Sequence, residues 1–104
     1  MANWYKVSHV DEIEEDDVIQ VDVDETVLCV YHVDGSFFAT DGICTHEHAC
    51  LTDGFVMDGV IECPLHQGRF DIRTGKALSP PVTVDLKVYP VKIENSEIWV
   101  QLGE

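Results

Sequence analysis

Two short stretches constrain this chain more than anything else in it: Cys44-Thr45-His46 and Cys63-Pro64-Leu65-His66. Each offers one thiolate and one imidazole, and 16 residues separate His46 from Cys63. Two Cys with two His make a complete ligand set for one metal centre. A structural zinc site more often keeps like ligands together, as C-x₂₋₄-C with H-x₃₋₅-H. Here each stretch mixes the two kinds. A two-iron centre in which two His replace two Cys on one iron requires that mixing, because each loop then sends one ligand to each iron. The spacing therefore favours a [2Fe–2S] cluster on Cys44, His46, Cys63 and His66, with zinc as the alternative.

At 104 residues the chain reads as one domain, 1–104, with a thin core. Ligation at four points would order two long loops that such a core could not order alone. Six basic residues against twenty acidic ones give 6 − 20 = −14. Nucleic acid is then a poor partner, since phosphate demands the opposite sign. Basic protein partners met briefly fit better, because complementary potentials speed encounter. Solubility alone is the plainer reading of the same charge. Met1 to Val10 has neither the basic run nor the apolar stretch of a signal peptide. No apolar run is long enough to span a membrane. Four Cys without an export signal point to a cytoplasmic, reducing setting and to metal ligation in place of a disulfide framework.

Along the chain, Asn3 to Val7 is aromatic and β-branched and predicts a first strand. Asp11 to Asp17 places six acids around Ile13, a solvated turn or loop. Val18, Ile19, Val21 and Val23 alternate into a second strand that ends near Asp24-Glu25. Thr26 to Val33 is nearly all apolar and predicts a central strand covered on both faces, with Cys29 a small buried residue and His32 partly exposed. Asp34-Gly35 and Asp58-Gly59 are two-residue hairpin signals. The first joins Thr26–Val33 to Ser36–Ala39, and the second joins Phe55–Met57 to Val60–Glu62. Between them Thr40 to Gly54 is a long loop holding the first ligand pair, and the second pair follows directly on the second hairpin. Arg69–Ile72 is a further short strand, and Thr74-Gly75 turns the chain into Lys76-Ala77-Leu78. Ser79-Pro80-Pro81-Val82 cannot be a central strand, because proline lacks a ladder donor, and its stiff backbone suits a wall against the cluster. Leu86 to Ile93 alternates as one strand, Asn95-Ser96 turns, and Glu97 to Gln101 closes the last hairpin. No helical periodicity exceeds one turn, so the fold class is all-β, built from short antiparallel strands.

Cys44-Thr45-His46 with Cys63-Pro64-Leu65-His66-Gln67-Gly68-Arg69-Phe70-Asp71 resembles the Rieske ferredoxins of bacterial aromatic-ring-hydroxylating dioxygenase systems, those of naphthalene and biphenyl dioxygenases especially. The likeness extends to the opening Trp-Tyr-Lys-Val, to Phe-Ala-Thr before the first loop, to Thr74–Leu78 and to Tyr89-Pro90-Val91. It implies three antiparallel sheets, with a small cluster-binding subdomain at about 41–83 inserted in a base domain. It also implies a one-electron carrier that is not itself an enzyme. A flavin-containing NAD(P)H-dependent reductase would reduce it, and a terminal Rieske oxygenase would accept the electron. Cys44 and Cys63 would bind the inner iron, and His46 and His66 the outer iron at the surface, in a soluble monomer. A ferredoxin serving a diiron monooxygenase is an alternative within the class. A zinc-stabilised interaction module and a redox-sensing regulator are the alternatives outside it.

Respiratory members of the family carry an extra Cys in each binding loop, joined by a disulfide. Ala49 and Leu65 stand at those positions here, so that disulfide cannot form. Cys50 is then read as a buried thiol, His48 as a loop-surface residue and His9 as an N-terminal surface residue. Respiratory members also place a Ser two residues and a Tyr four residues after the last ligand His. Gly68 and Phe70 occupy those positions here and offer no hydroxyl. Fewer hydrogen bonds to the sulfurs leave the more negative reduced form less stabilised, which predicts a low potential. Glu47, Asp53 and Glu62 lie near the ligands, whereas five of the six basic residues follow Gly68, which suggests acidic guidance of docking.

Overall fold

The computed structural model describes residues 3–44, 50–64, 68–79 and 84–102. Eleven strands form three antiparallel sheets among them. The first sheet joins β1 (Asn3–His9), β11 (Glu97–Leu102) and β10 (Val91–Glu94) in the order β1-β11-β10. The second runs β2-β3-β4-β9, from β2 (Asp17–Val23), β3 (Thr26–Val33), β4 (Ser36–Asp41) and β9 (Val88–Tyr89). The third is a meander of four three-residue strands, β5 (Phe55–Met57), β6 (Val60–Glu62), β7 (Arg69–Asp71) and β8 (Ala77–Ser79). An all-β chain of three antiparallel sheets is thus what the sequence led us to expect.

Four two-residue turns account for most of the local topology. Asp34-Gly35 and Asp58-Gly59 take φ of 53° and 75°, and 53° and 76°. Both central residues are therefore left-handed, as a type I′ turn demands, and the turn's twist matches that of the flanking strands. Asp24-Glu25 (47°, 71°) and Asn95-Ser96 (53°, 65°) adopt the same geometry without glycine. The tight turns fix register. Val33 pairs with Ser36 across the first, and Met57 with Val60 across the second.

β3 lies at the middle of the molecule because its alternating residues find apolar cover on both sides. Val30 packs with Ile13 and Ile98, and Leu28 with Ala39 and Val100, against the first sheet. Cys29, Tyr31 and Val33 point the other way, into a cluster with Ile61 and Phe70 of the third sheet and Ile72 just after β7. Fully burying a side chain such as Phe70 is worth about 1.5–3 kcal/mol. The third sheet is thereby fastened to the rest through its inner face.

Several boundaries differ from the sequence reading. The acidic stretch contains a 3₁₀ turn at Val10–Glu12, capped by His9, and β2 already begins at Asp17. The loop predicted from Thr40 starts later, since Thr40 and Asp41 still belong to β4, and a 3₁₀ turn at Leu51–Asp53 fills its far end. β7 stops at Asp71, one residue short of the predicted strand end at Ile72. Leu86 to Ile93 is not one strand. Val88–Tyr89 pairs with β4, while Val91–Glu94 pairs with β11. Pro90 lies between them without an amide hydrogen, and its carbonyl accepts from Gln101 N at 3.0 Å as the chain changes sheets.

Candidate metal centre

Cys44 and Cys63 stand at the roots of two loops, and each root is closed by backbone pairing. Ile43 and Cys50 form an isolated antiparallel bridge across the first. One residue outward, Leu51 N donates to Gly42 O at 2.9 Å, and Gly42 N donates to Val27 O at 2.8 Å. The first loop is thus tied to β3. At the second root, Cys63 N donates to Gly68 O at 2.7 Å. β6 delivers the chain to Cys63 and β7 receives it at Arg69, so the hairpin ladder sets where this loop begins and ends.

The two cysteines are 4 % and 1 % exposed and share one apolar cluster with Leu51, Ile61, Phe70, Ile72 and Leu86. Two cysteines 63 − 44 = 19 positions apart in sequence are therefore brought into one buried cluster. No disulfide forms among Cys29, Cys44, Cys50 and Cys63. Two buried cysteines in one apolar cluster, each at the base of a loop whose sequence carries a histidine, fit the donor set of a [2Fe–2S] cluster. His46 and His66 lie outside the described residues, as do Glu47, His48, Ala49, Leu65 and Pro80–Val82. Among the described residues no group of three or more His, Cys, Asp or Glu gathers to hold a metal.

The competing residues are placed as follows. Cys29 is buried at 1 % exposure, and burial pushes its thiol up to about 12. It stays protonated near neutrality, whereas ligation requires the thiolate. Cys50 was expected to be buried but is half-buried, because its bridge to Ile43 keeps it at the rim of the first loop. His32 is partly exposed as expected. Its Nδ1 lies 2.9 Å from Ile13 O, its Nε2 3.4 Å from Glu15, and its ring stacks on Phe37. His9 sits at the N-terminal surface, capping the 3₁₀ turn. Asp53 is exposed, but Glu62 is paired with Arg69 at 3.0 Å, which mutes its share of any acidic docking face.

Among the described residues of the cysteines' cluster, hydroxyls are scarce. Phe70 is fully buried in their cluster, and Tyr31 is the one hydroxyl-bearing residue among the cluster's described buried members. Thr40 donates its only hydroxyl hydrogen to Asp41 O at 2.8 Å. The Tyr31 and Thr40 hydroxyls lie 2.8 Å apart and share a hydrogen bond. One residue that sequence reading passed over also shapes the site. A Cβ on Gly54 would lie 1.9 Å from Glu62 O. The exit of the first loop thus rests directly on the backbone that enters the second.

Comparison with known proteins agrees with this geometry. The family model of the Rieske [2Fe-2S] domain matches residues 3–90. The ferredoxin component of the naphthalene 1,2-dioxygenase/salicylate 5-hydroxylase systems of Ralstonia sp. is 49% identical over 100 residues, 96% of each chain. Among solved structures, a Sphingomonas yanoikuyae B1 ferredoxin superposes with a TM-score of 0.92 at 38% identity, covering 97% of this chain and 100% of that one. A ferredoxin in complex with the oxygenase of carbazole 1,9a-dioxygenase matches with a TM-score of 0.89 at 38% identity, covering 93% and 91%.

Proposed function

Because this chain belongs to the Rieske [2Fe–2S] domain family, we propose that it carries single electrons from a reductase to the terminal oxygenase of an aromatic-ring dioxygenase system. The observation that carries this reading is the pair of buried cysteines, Cys44 and Cys63, in one apolar cluster at the roots of two closed loops. A bound Rieske cluster supplies reversible one-electron chemistry at these ligands. Cys44 and Cys63 would hold one iron of that cluster, and His46 and His66 would hold the other. Residues 41–83 act as the cluster-binding subdomain, a reading supported by the third sheet lying within that span. The chain itself performs no bond chemistry on the substrate. Its task is to hold the cluster, shield its sulfurs with Leu51, Phe70 and Leu86, and present one end to partners.

The oxygenase partner is supported by relatives named as dioxygenase components and by the ferredoxin–oxygenase complex among the structural neighbours. We assign the donor role to a flavin-containing NAD(P)H-dependent reductase, and read the chain as a cytoplasmic monomer. No helix among the described residues is long and apolar enough to cross a membrane. We read the potential as near the low end of the Rieske range, around −150 mV, a reading supported by Gly68 and Phe70, which carry no hydroxyl. Protein-film voltammetry checks this, and a value well above zero would overturn it.

The direct test is purification followed by visible absorption and EPR of the reduced protein, then turnover with candidate reductases and oxygenases on naphthalene-like substrates. A red-brown protein with the signal of a His-ligated [2Fe–2S] centre, reduced by NAD(P)H only through a reductase, is the expected result. A colourless protein that holds zinc would overturn it.

A further inference from the structure

We infer that Gly54 is a positioning residue for the metal centre: its missing side chain sets the separation of the two ligand loops. The inference rests on the Rieske reading above and adds to it a residue that touches neither iron nor sulfur. Gly54 follows the 3₁₀ turn Leu51–Asp53, and its amide donates to Leu51 O at 2.9 Å. Leu51 is fully buried and shares the cluster of Cys44 and Cys63, so the turn cannot drift outward without opening that cluster. On its other side Gly54 lies against the carbonyl of Glu62, the residue immediately before Cys63.

Magnitudes decide what a side chain would do here. A Cβ would sit 1.9 Å from Glu62 O and 3.1 Å from Glu62 C. Real Cβ contacts do not fall below 3.0 Å, so the two backbones must part by at least 3.0 − 1.9 = 1.1 Å. The obstacle is backbone on the next strand, which cannot swing aside as a flexible side chain would. Metal–ligand distances tolerate only about 0.2 Å. A displacement several times larger, applied at one residue's remove from Cys63, has to appear as altered ligand geometry or as a weaker hold on the metal. The φ of Gly54 is −93°, which any residue adopts. The need for glycine is therefore one of space between loops and not of backbone freedom.

Gly35 provides the comparison. Its φ of +75° strains any side chain there, yet a Cβ would meet nothing within 4 Å, and Gly35 lies in the β3–β4 turn away from both ligand loops. The experiment compares the holoprotein with Gly54→Ala and Gly35→Ala. Reduced-state EPR, the midpoint potential and the rate of iron loss to a chelator are measured, with thermal unfolding alongside. Gly54→Ala is expected to shift the g values and potential and to lose iron roughly tenfold faster, the size of effect that outer-shell changes produce. Gly35→Ala is expected to unfold at lower temperature with wild-type g values. A Gly54→Ala protein with wild-type spectrum and potential overturns the inference, as does an equal spectral shift in both variants. Should Gly54→Ala not fold, Leu51→Val relaxes the same turn by one methylene, and an unaltered EPR spectrum there overturns it. A wild-type protein without a cluster would instead defeat the underlying reading, and is seen before any variant is made.

Discussion

Cys29 illustrates how environment separates chemically identical side chains. Three cysteines of this chain are buried, yet only two sit at loop roots, while Cys29 lies within β3 between Gln20 and Thr40 of its neighbours. Its folded-state value of about 12 stands above the ordinary thiol value of 9.0. The folded chain therefore holds this proton while the unfolded chain releases it. Stability from this source is complete below pH 9 and is lost as pH climbs toward 12, by a few kcal/mol at most. Cys29→Ala should keep its iron and show a shallower alkaline loss of stability than wild type across that window. Urea titrations at pH 7, 9 and 10.5 on both proteins check this, and parallel pH profiles would refute it. The ligand cysteines were legible in sequence because their spacing is itself the chemistry. Gly54 was not, because a close approach between loops is a tertiary property that no local pattern announces. The half-burial of Cys50 was hidden for the same reason, since it depends on the bridge to Ile43.

Among the elements, hairpins were read well and the last third of the chain less well. Asp34-Gly35 and Asp58-Gly59 announce their turns because glycine at the second position supplies the positive φ. Leu86 to Ile93 misled because period-2 alternation survives a change of sheet. Tyr89 and Val91 both face the same apolar cluster, with Leu28 and Val100, although they belong to different ladders. Only Pro90, which has no amide hydrogen to give either ladder, marks the crossing. The shift in the β1–β11 register between Lys6 and Ser8 left no local trace either. At Asp24-Glu25 the turn forms without glycine, and Glu25 holds a φ of 71°. A left-handed non-glycine residue costs about 1 kcal/mol. Glu25→Gly should therefore stabilise the β2–β3 hairpin by roughly 0.5–1 kcal/mol, read as a higher melting temperature. A lower melting temperature would show that the carboxylate or its contacts matter more than the backbone strain.

At the scale of the whole molecule, charge is the dominant uncompensated quantity. Lys6, Arg69, Arg73 and Lys92 are already paired with Glu97, Glu62, Asp34 and Glu94. With twenty acids against six bases, most carboxylates have no cation to meet. The described residues extend only 39 × 30 × 19 Å. At 0.01 M salt the screening length of about 30 Å lets these charges repel across the entire body, and at 0.15 M it falls to about 8 Å. Melting temperature should rise with added sodium chloride over that range, as self-repulsion is relieved. A flat or falling profile in differential scanning calorimetry would contradict this account.

The sheets also differ in how far along the chain their partners lie. In the third sheet every strand pairs with its immediate successor, from β5 to β8. The first sheet instead joins Asn3 to Leu102. Contacts close in sequence are quick to form, and distant ones must wait for a longer loop to close. On a ribosome this sets an order of events. The scaffold of the second ligand loop is complete once residue 79 has emerged, whereas β1 waits for Glu97–Leu102. The hairpins that carry the second ligand loop can therefore form before the first sheet closes on Asn3–His9.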